Sequence, residues 1–146
     1  MNNRPRCAGH EQIVRAIRSA DYDEKKRRLS SGLFKGKEIS VSRLSILPLN
    51  KLFLLFHSEL DRQEKNPPTK VKWAGEMTVS TLESIGRNYE PAPTGLTVEA
   101  DPTERNPAHA VIPQRITTGL AHRINRALTI HSDSSVSHPD PPPLIS

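Results

Sequence analysis

Prolines set the scale of every element in this chain. They stand at positions 5, 48, 67, 68, 91, 93, 102, 107 and 113, then crowd at 139, 141, 142 and 143. Proline has no N–H to donate and a fixed φ, so it belongs at element ends, edges and turns rather than inside a helix or a central strand. The chain must therefore fold from short pieces. Its 146 residues fit one domain, because a second core would be assembled from fragments too small to bury enough apolar surface. With 34 % hydrophobic and 4 % aromatic residues, that one core is expected to be small.

Hydrophobic spacing assigns the pieces between the prolines. Over 10–20, Ile13, Val14, Ala16, Ile17 and Ala20 are compatible with one helical face, so a helix is expected, although Ile13, Arg15 and Ile17 also alternate as in a strand. The basic, glycine-containing stretch that follows has no period and is expected to be an exposed loop with an ordered piece at Leu29–Phe34. "EISVSRLSI" alternates Ile39 and Val41 with Ser40 and Ser42, the pattern of a half-buried strand. Asn50 is then placed to cap a helix to about Glu64, with Leu52, Phe53, Leu55, Phe56 and Leu60 repeating at three and four.

Further along, 70–80 is expected to be extended and interrupted at Gly75, and "STLE" offers a capping box with Ser80 and Glu83 for a short helix ended by Gly86. Gly95–Ala100 and Ala108–Ile112 are strands joined by a turn, which predicts a hairpin. From Pro113, in the first turn, Ile116, Leu120, Ile124 and Ala127 share the inner face of a helix over 114–128. Arg115, His122 and Arg126 form its outer stripe, flanked by Arg123. The fold class expected is a small single α+β domain over 10–128, few short strands on two main helices. A flexible 1–9 precedes it and a disordered Pro/Ser-rich tail over 129–146 follows it.

The net charge of +5 favours phosphate-bearing or otherwise acidic partners and is silent on fold. The positive residues concentrate at Lys25–Arg28 and at 115–126. Cys7 is the single cysteine, so no disulfide can form within the chain and no thiolate zinc site can be built. A reducing compartment, the cytoplasm, is the natural expectation. No apolar leader follows the N-terminal arginines, and "LFLLF" at 52–56 is far too short to span a bilayer, so no membrane is expected as partner.

Several residues carry chemistry in principle. His109, in "NPAHAVI", is a candidate acid or base, with Glu99, Asp101 and Glu104 across the turn as carboxylates that could orient it. The plain alternative is a packed hairpin histidine. Ser30 and Ser31 offer hydroxyl and amide donors to a phosphate, with Arg27 and Arg28 as counter-charges, and Arg115, His122, Arg123 and Arg126 are a second phosphate-binding set. The plain alternative for both sets is solvated surface. No glycine-rich phosphate loop, His-Glu-x-x-His pattern or nucleophile elbow is present, so neither a metal nor an organic cofactor is expected, and a Ser-His-Asp nucleophile rests on composition alone. Trp73, Tyr22 and Tyr89 are scattered too widely along the chain for a stacking platform.

"RRLSSGLF", "ISVSRL" and "DPTERNPAHAVI" together resemble a loosely defined family of small bacterial proteins with Ser-Ser-x-x-Phe, Ser-Val and Asn-Pro-x-His-Ala blocks and no assigned activity. The likeness covers roughly 13–128 and implies that Arg28, Ser30, Ser31, Phe34, Ser40, Val41, Asn106, Pro107 and His109 belong to one structural unit. An early arginine, a serine pair and a late polar strand residue also look like an ADP-ribosyltransferase plan. That resemblance implies Arg15 or Arg28 on a pyrophosphate, Ser30 or Ser31 on a ribose, and His109 or Glu99 at the reacting centre. Its acidic motif and stacking aromatics have no identifiable counterpart here. The leading expectation is a small basic binding protein for nucleic acid or another phosphate-bearing partner. The alternatives are a nucleotide- or nucleic-acid-modifying enzyme using His109, and a module binding a protein partner through its proline-rich tail.

Overall fold

A computed structural model describes residues 4–135. The architecture is α+β: a six-stranded antiparallel sheet carries three helices. Its strands are β1 (Gln12–Arg18), β4 (Ile39–Arg43), β5 (Val71–Thr78), β6 (Glu99–Ala100), β7 (His109–Ile112) and β8 (Thr129–Ser132), in the spatial order β6-β7-β4-β1-β5-β8. A separate two-stranded ribbon joins β2 (Tyr22–Asp23) to β3 (Arg28–Leu29). The helices are α1 (Leu49–Leu60), α2 (Val79–Arg87) and α3 (Thr118–Ala127). Among the described residues no helix is long and apolar enough to cross a membrane.

The expected helix over 10–20 is the strand β1. It lies inside the sheet with both faces covered: Ile13 and Ile17 join the core under α2 and α3, while Val14 packs with Leu52, Phe53 and Phe56 of α1. A strand buried on both sides loses its apolar–polar alternation, which is why Ile13, Val14, Ala16 and Ile17 imitate a helical face. β5 runs through Gly75 without a break, paired with β1 on one side and β8 on the other, and the Leu128 side chain occupies the space over Gly75 that a Cβ would take.

α1 buries the stripe its spacing predicts, with Phe53 and Leu52 fully enclosed. Side chains of this size contribute about 1.5–3 kcal/mol each when removed from water. Its N-cap is Pro48 rather than Asn50, and it stops at Leu60, short of Glu64. α2 is capped by the Thr78 hydroxyl, which accepts from the Thr81 amide, so the expected Ser80 box is displaced by two residues. The hairpin near residue 100 is present, Ala100 facing Ala110 and Glu99 facing Val111.

α3 begins at Thr118, capped by Thr117, so Pro113 is not in its first turn and Arg115 is not on its outer stripe. Gly36 and Ile116 exchange main-chain hydrogen bonds just before it, which holds that segment extended. The chain past 128 does not start a tail: Thr129–Ser132 is the edge strand β8. The remainder of the expected tail, 136–146, lies outside the described residues. At the other end, residues from Pro5 on are held: the Cys7 amide donates to Val98 O and the Ala100 amide to Pro5 O, and Cys7 is buried. Burial also pushes the Cys7 thiol up from its ordinary pKa.

Candidate functional site

One cleft opens where two neighbouring strands part. β1 and β4 are paired at Ile13–Arg43 and Val14–Ser42 only; continuing that register would place Arg15 opposite Val41 and Ala16 opposite Ser40, and neither pairing forms. The parting leaves main-chain carbonyls with no ladder partner, a cost that some other donor must remove. Arg15 supplies it, with Nη1 donating to Ser40 O at 2.6 Å and Nε donating to Leu33 O. Its guanidinium carbon sits 5.6 Å from the centre of the Phe34 ring. Burial lowers the Arg15 pKa to about 10 despite the favourable charge of Asp21, which leaves the group protonated at neutral pH.

The resulting cavity, about 320 Å³, is lined by Arg15, Arg18, Asp21, Gly32, Leu33, Ser40, Ser42, Asn106 and His109, with Phe56, Glu59 and Leu60 of α1 on its far wall. Arg18 and Asp21 approach each other at 3.5 Å. Asn106, which is buried, donates from Nδ2 to the Ser42 hydroxyl at 3.1 Å and accepts from the Ala108 amide at 3.0 Å, so it fixes the turn that leads into β7. His109 is neither a free surface residue nor a sealed core one. Its Nδ1 lies 2.8 Å from the Asp101 carbonyl oxygen and 3.3 Å from Asp101 Oδ2, and its Nε2 lies 3.1 Å from Ser40 Oγ. Of the three carboxylates predicted across the turn, Asp101 is the one in contact; Glu99 pairs instead with Arg4 at 3.0 Å.

A second depression, of about 800 Å³, lies between the β2–β3 ribbon and α3. Its walls bring together Lys26, Arg27 and Arg28 from the ribbon with His122 and Arg126 from α3, over Leu29, Leu128 and Ile130, and no carboxylate lines it. The turn of the ribbon is closed by Asp23, whose Oδ1 accepts from the Lys26 amide at 3.1 Å, and by Arg27 in the left-handed region at φ 51°. Among the described residues none of Lys26, Arg27, Arg28 and Arg126 has a carboxylate within 4.0 Å. Tyr22, on the same wall, meets Trp73 edge-on with centroids 4.9 Å apart, so these two aromatics do come together although they are far apart in sequence.

The sequence-derived sets are thus redistributed. Gly32 and Leu33, Ser40–Ser42, and Asn106 with His109 come from the three blocks of the family resemblance and line one cleft. Arg27, Arg28, His122 and Arg126 face one groove. Ser30 and Ser31 line neither: the Ser30 hydroxyl accepts from the Gly32 amide at 3.1 Å to cap a 3-10 turn at Ser31–Leu33, and the Asn125 side chain binds the Ser30 carbonyl. Arg115 is exposed ahead of α3, and Arg123 points to a different hollow beside Ile85 and Tyr89. Ser40 as the partner of His109 Nε2 escaped the sequence; alternation in "ISVSRL" put Ser40 and Ser42 on one face, but not which strand would lie beside it. Among the described residues no three His, Cys, Asp or Glu side chains cluster as metal ligands. Comparison of the chain with family models, with curated proteins and with solved structures finds no match to any of them.

Proposed function

We propose that this protein binds nucleic acid, laying a single strand along the groove between the β2–β3 ribbon and α3. The observation that carries the proposal is the meeting of Lys26, Arg27 and Arg28 with His122 and Arg126 across a groove without a carboxylate. Cations that have protein partners gain little from a phosphate, whereas unpaired ones gain by releasing the counterions condensed on the strand. Tyr22 on the groove wall offers an aromatic edge for a base, and stacking of that kind is tolerant of sequence. The supply of cations from two distant parts of the chain also means that binding depends on the folded state, not on a basic tail.

The test is fluorescence anisotropy of a short single-stranded RNA and the matching DNA, from about 50 to about 200 mM KCl. Binding should weaken steeply with salt, and the double variant Lys26→Glu with Arg126→Glu should bind at least about tenfold more weakly with a salt slope shallower by about 1–2. Both positions are exposed, so the variant is expected to fold. No binding at the lowest salt, or equal binding by wild type and double variant, would overturn the proposal.

A further inference from the structure

We propose that Ser40, His109 and Asp101 form a nucleophilic relay in the cleft between β1 and β4, and that the cleft hydrolyses small carboxylic esters. This site is separate from the basic groove and rests on different residues. The argument begins with the tautomer of His109. A carbonyl oxygen only accepts, so the 2.8 Å approach of Nδ1 to Asp101 O requires a proton on Nδ1. In the neutral ring Nε2 then carries the lone pair, and the hydroxyl 3.1 Å away on Ser40 is its donor. The Asp101 carboxylate, 3.3 Å from Nδ1, is placed to stabilise the imidazolium that forms when the ring takes that proton.

Ser40 is exposed to the cavity rather than buried under it, as a nucleophile must be. Beside it stands a fixed cation. Arg15 is held by two main-chain carbonyls, one of them that of Ser40 itself, and among the described residues no carboxylate lies within 4.0 Å of its guanidinium and its Nη2 makes no hydrogen bond. The remaining N–H groups of that guanidinium are free to meet negative charge developing next to Ser40. The other charged groups on the walls are Arg18 with Asp21, which approach each other, and Glu59 across the cleft on α1. The cavity of about 320 Å³ has room for a short acyl group together with its alcohol.

In the first half-reaction Ser40 Oγ attacks the ester carbonyl carbon while its proton passes to His109 Nε2. The tetrahedral oxyanion faces Arg15, the bond to the leaving alkoxide breaks, and that oxygen leaves as the alcohol with the proton from Nε2. Water then gives a proton to Nε2 and attacks the acyl-serine; the carboxylic acid departs and Ser40 regains its hydrogen. Atoms and charge balance with water as the only co-substrate.

The folded protein is treated with a fluorophosphonate probe and mapped by mass spectrometry, and hydrolysis of p-nitrophenyl acetate and p-nitrophenyl butyrate is followed in parallel. The expected result is an adduct on Ser40 alone, ester hydrolysis above the uncatalysed rate, and loss of both in Ser40→Ala. His109→Gln should lower turnover by about 10²–10⁴-fold. Arg15→Met should lower kcat with little change in KM, as befits a contact made in the transition state. Because His109→Gln also removes the bond to Asp101 and could loosen the hairpin, the ring is read independently by ¹⁵N NMR of the unmodified protein, where Nδ1–H is expected. A proton on Nε2 at neutral pH, a probe adduct scattered over other serines, or no adduct on folded protein would overturn the proposal.

Discussion

Arg15 donates from Nη1 to the main-chain carbonyl of Ser40 at 2.6 Å, across the gap where β1 and β4 have parted. One arginine thus replaces the ladder bonds that a continuous pairing would have made, and holds open a polar cleft in the middle of a sheet. Arg15→Met should destabilise the protein by about 2 kcal/mol, because two carbonyls lose their donor. Urea unfolding measures the loss; Arg15→Lys, with one compact ammonium in place of a fork, should recover only part of it.

Glu11 and Arg43 form a two-pronged pair, Nε to Oε1 at 2.8 Å and Nη2 to Oε2 at 3.0 Å, with the Ser45 hydroxyl also on Oε1 at 2.8 Å. Glu11 is 8 % exposed. Glu11→Ala strands a largely covered guanidinium and should cost about 3 kcal/mol, and a double-mutant cycle with Arg43→Ala should show strong coupling.

The same pair sets a pH limit. The Arg43 hydrogen bonds hold the Glu11 carboxyl below its ordinary pKa, with burial opposing them and Ser45 assisting. A depressed carboxylate contributes stability above its unfolded pKa and loses it as pH falls through the folded value. Thermal melts from pH 6 downward should therefore fall more steeply for wild type than for Glu11→Gln.

His57 works with the opposite sign. It bridges Asp61 at 2.9 Å from Nδ1 and Asp133 at 2.9 Å from Nε2, tying α1 to the turn after β8. Burial disfavours the charged ring, but the bonds and charges of the two aspartates outweigh it and raise the pKa above 6.5. A raised histidine contributes its full stabilisation below the unfolded pKa and loses it as pH rises through the folded one. The gap in melting temperature between wild type and His57→Gln should be widest near pH 5.5 and narrow by pH 8.5.

Gly86 in α2 has the main chain of Thr94 and the Leu96 side chain against the space a Cβ would need. The Gly86 carbonyl also accepts from the Tyr89 amide at 3.3 Å and from the Thr94 amide at 2.7 Å. Gly86→Ala should destabilise by about 2 kcal/mol despite the better helix propensity of alanine, because the neighbour is backbone and cannot turn aside. Chemical denaturation of the single variant decides it.

Elements with one buried face were legible in the chain. α1 shows its stripe because Leu54 and Lys51 face water while Leu52, Phe53 and Phe56 do not, and β4 shows alternation because Ile39 and Val41 face the core while Ser40 opens on the cleft and Ser42 is buried against the Asn106 side chain. The β6–β7 hairpin follows from turn residues between two apolar runs. β1 was misleading because it is covered on both faces, and β8 because Thr129–Ser132 has no apolar pattern and is held by pairing with β5 along its length. None of its side chains is fully buried, so nothing in them announces a strand.

The sequence by itself determined that short elements would build a small α+β domain, that positive charge would gather at 25–28 and 115–126, and that His109 would stand at a hairpin with carboxylates near it along the chain; that the apolar residues would divide into two clusters, one on each face of the sheet, it did not show. Only the tertiary structure decided which carboxylate and which serine it meets, since Ser40 and His109 are 69 residues apart and adjoin because β4 pairs with β7. It also decided that Arg27 and Arg126 share a groove while Arg115 does not. Periodicity records which side of an element is apolar; it carries no term for which element becomes its neighbour, and both sites are made of neighbours.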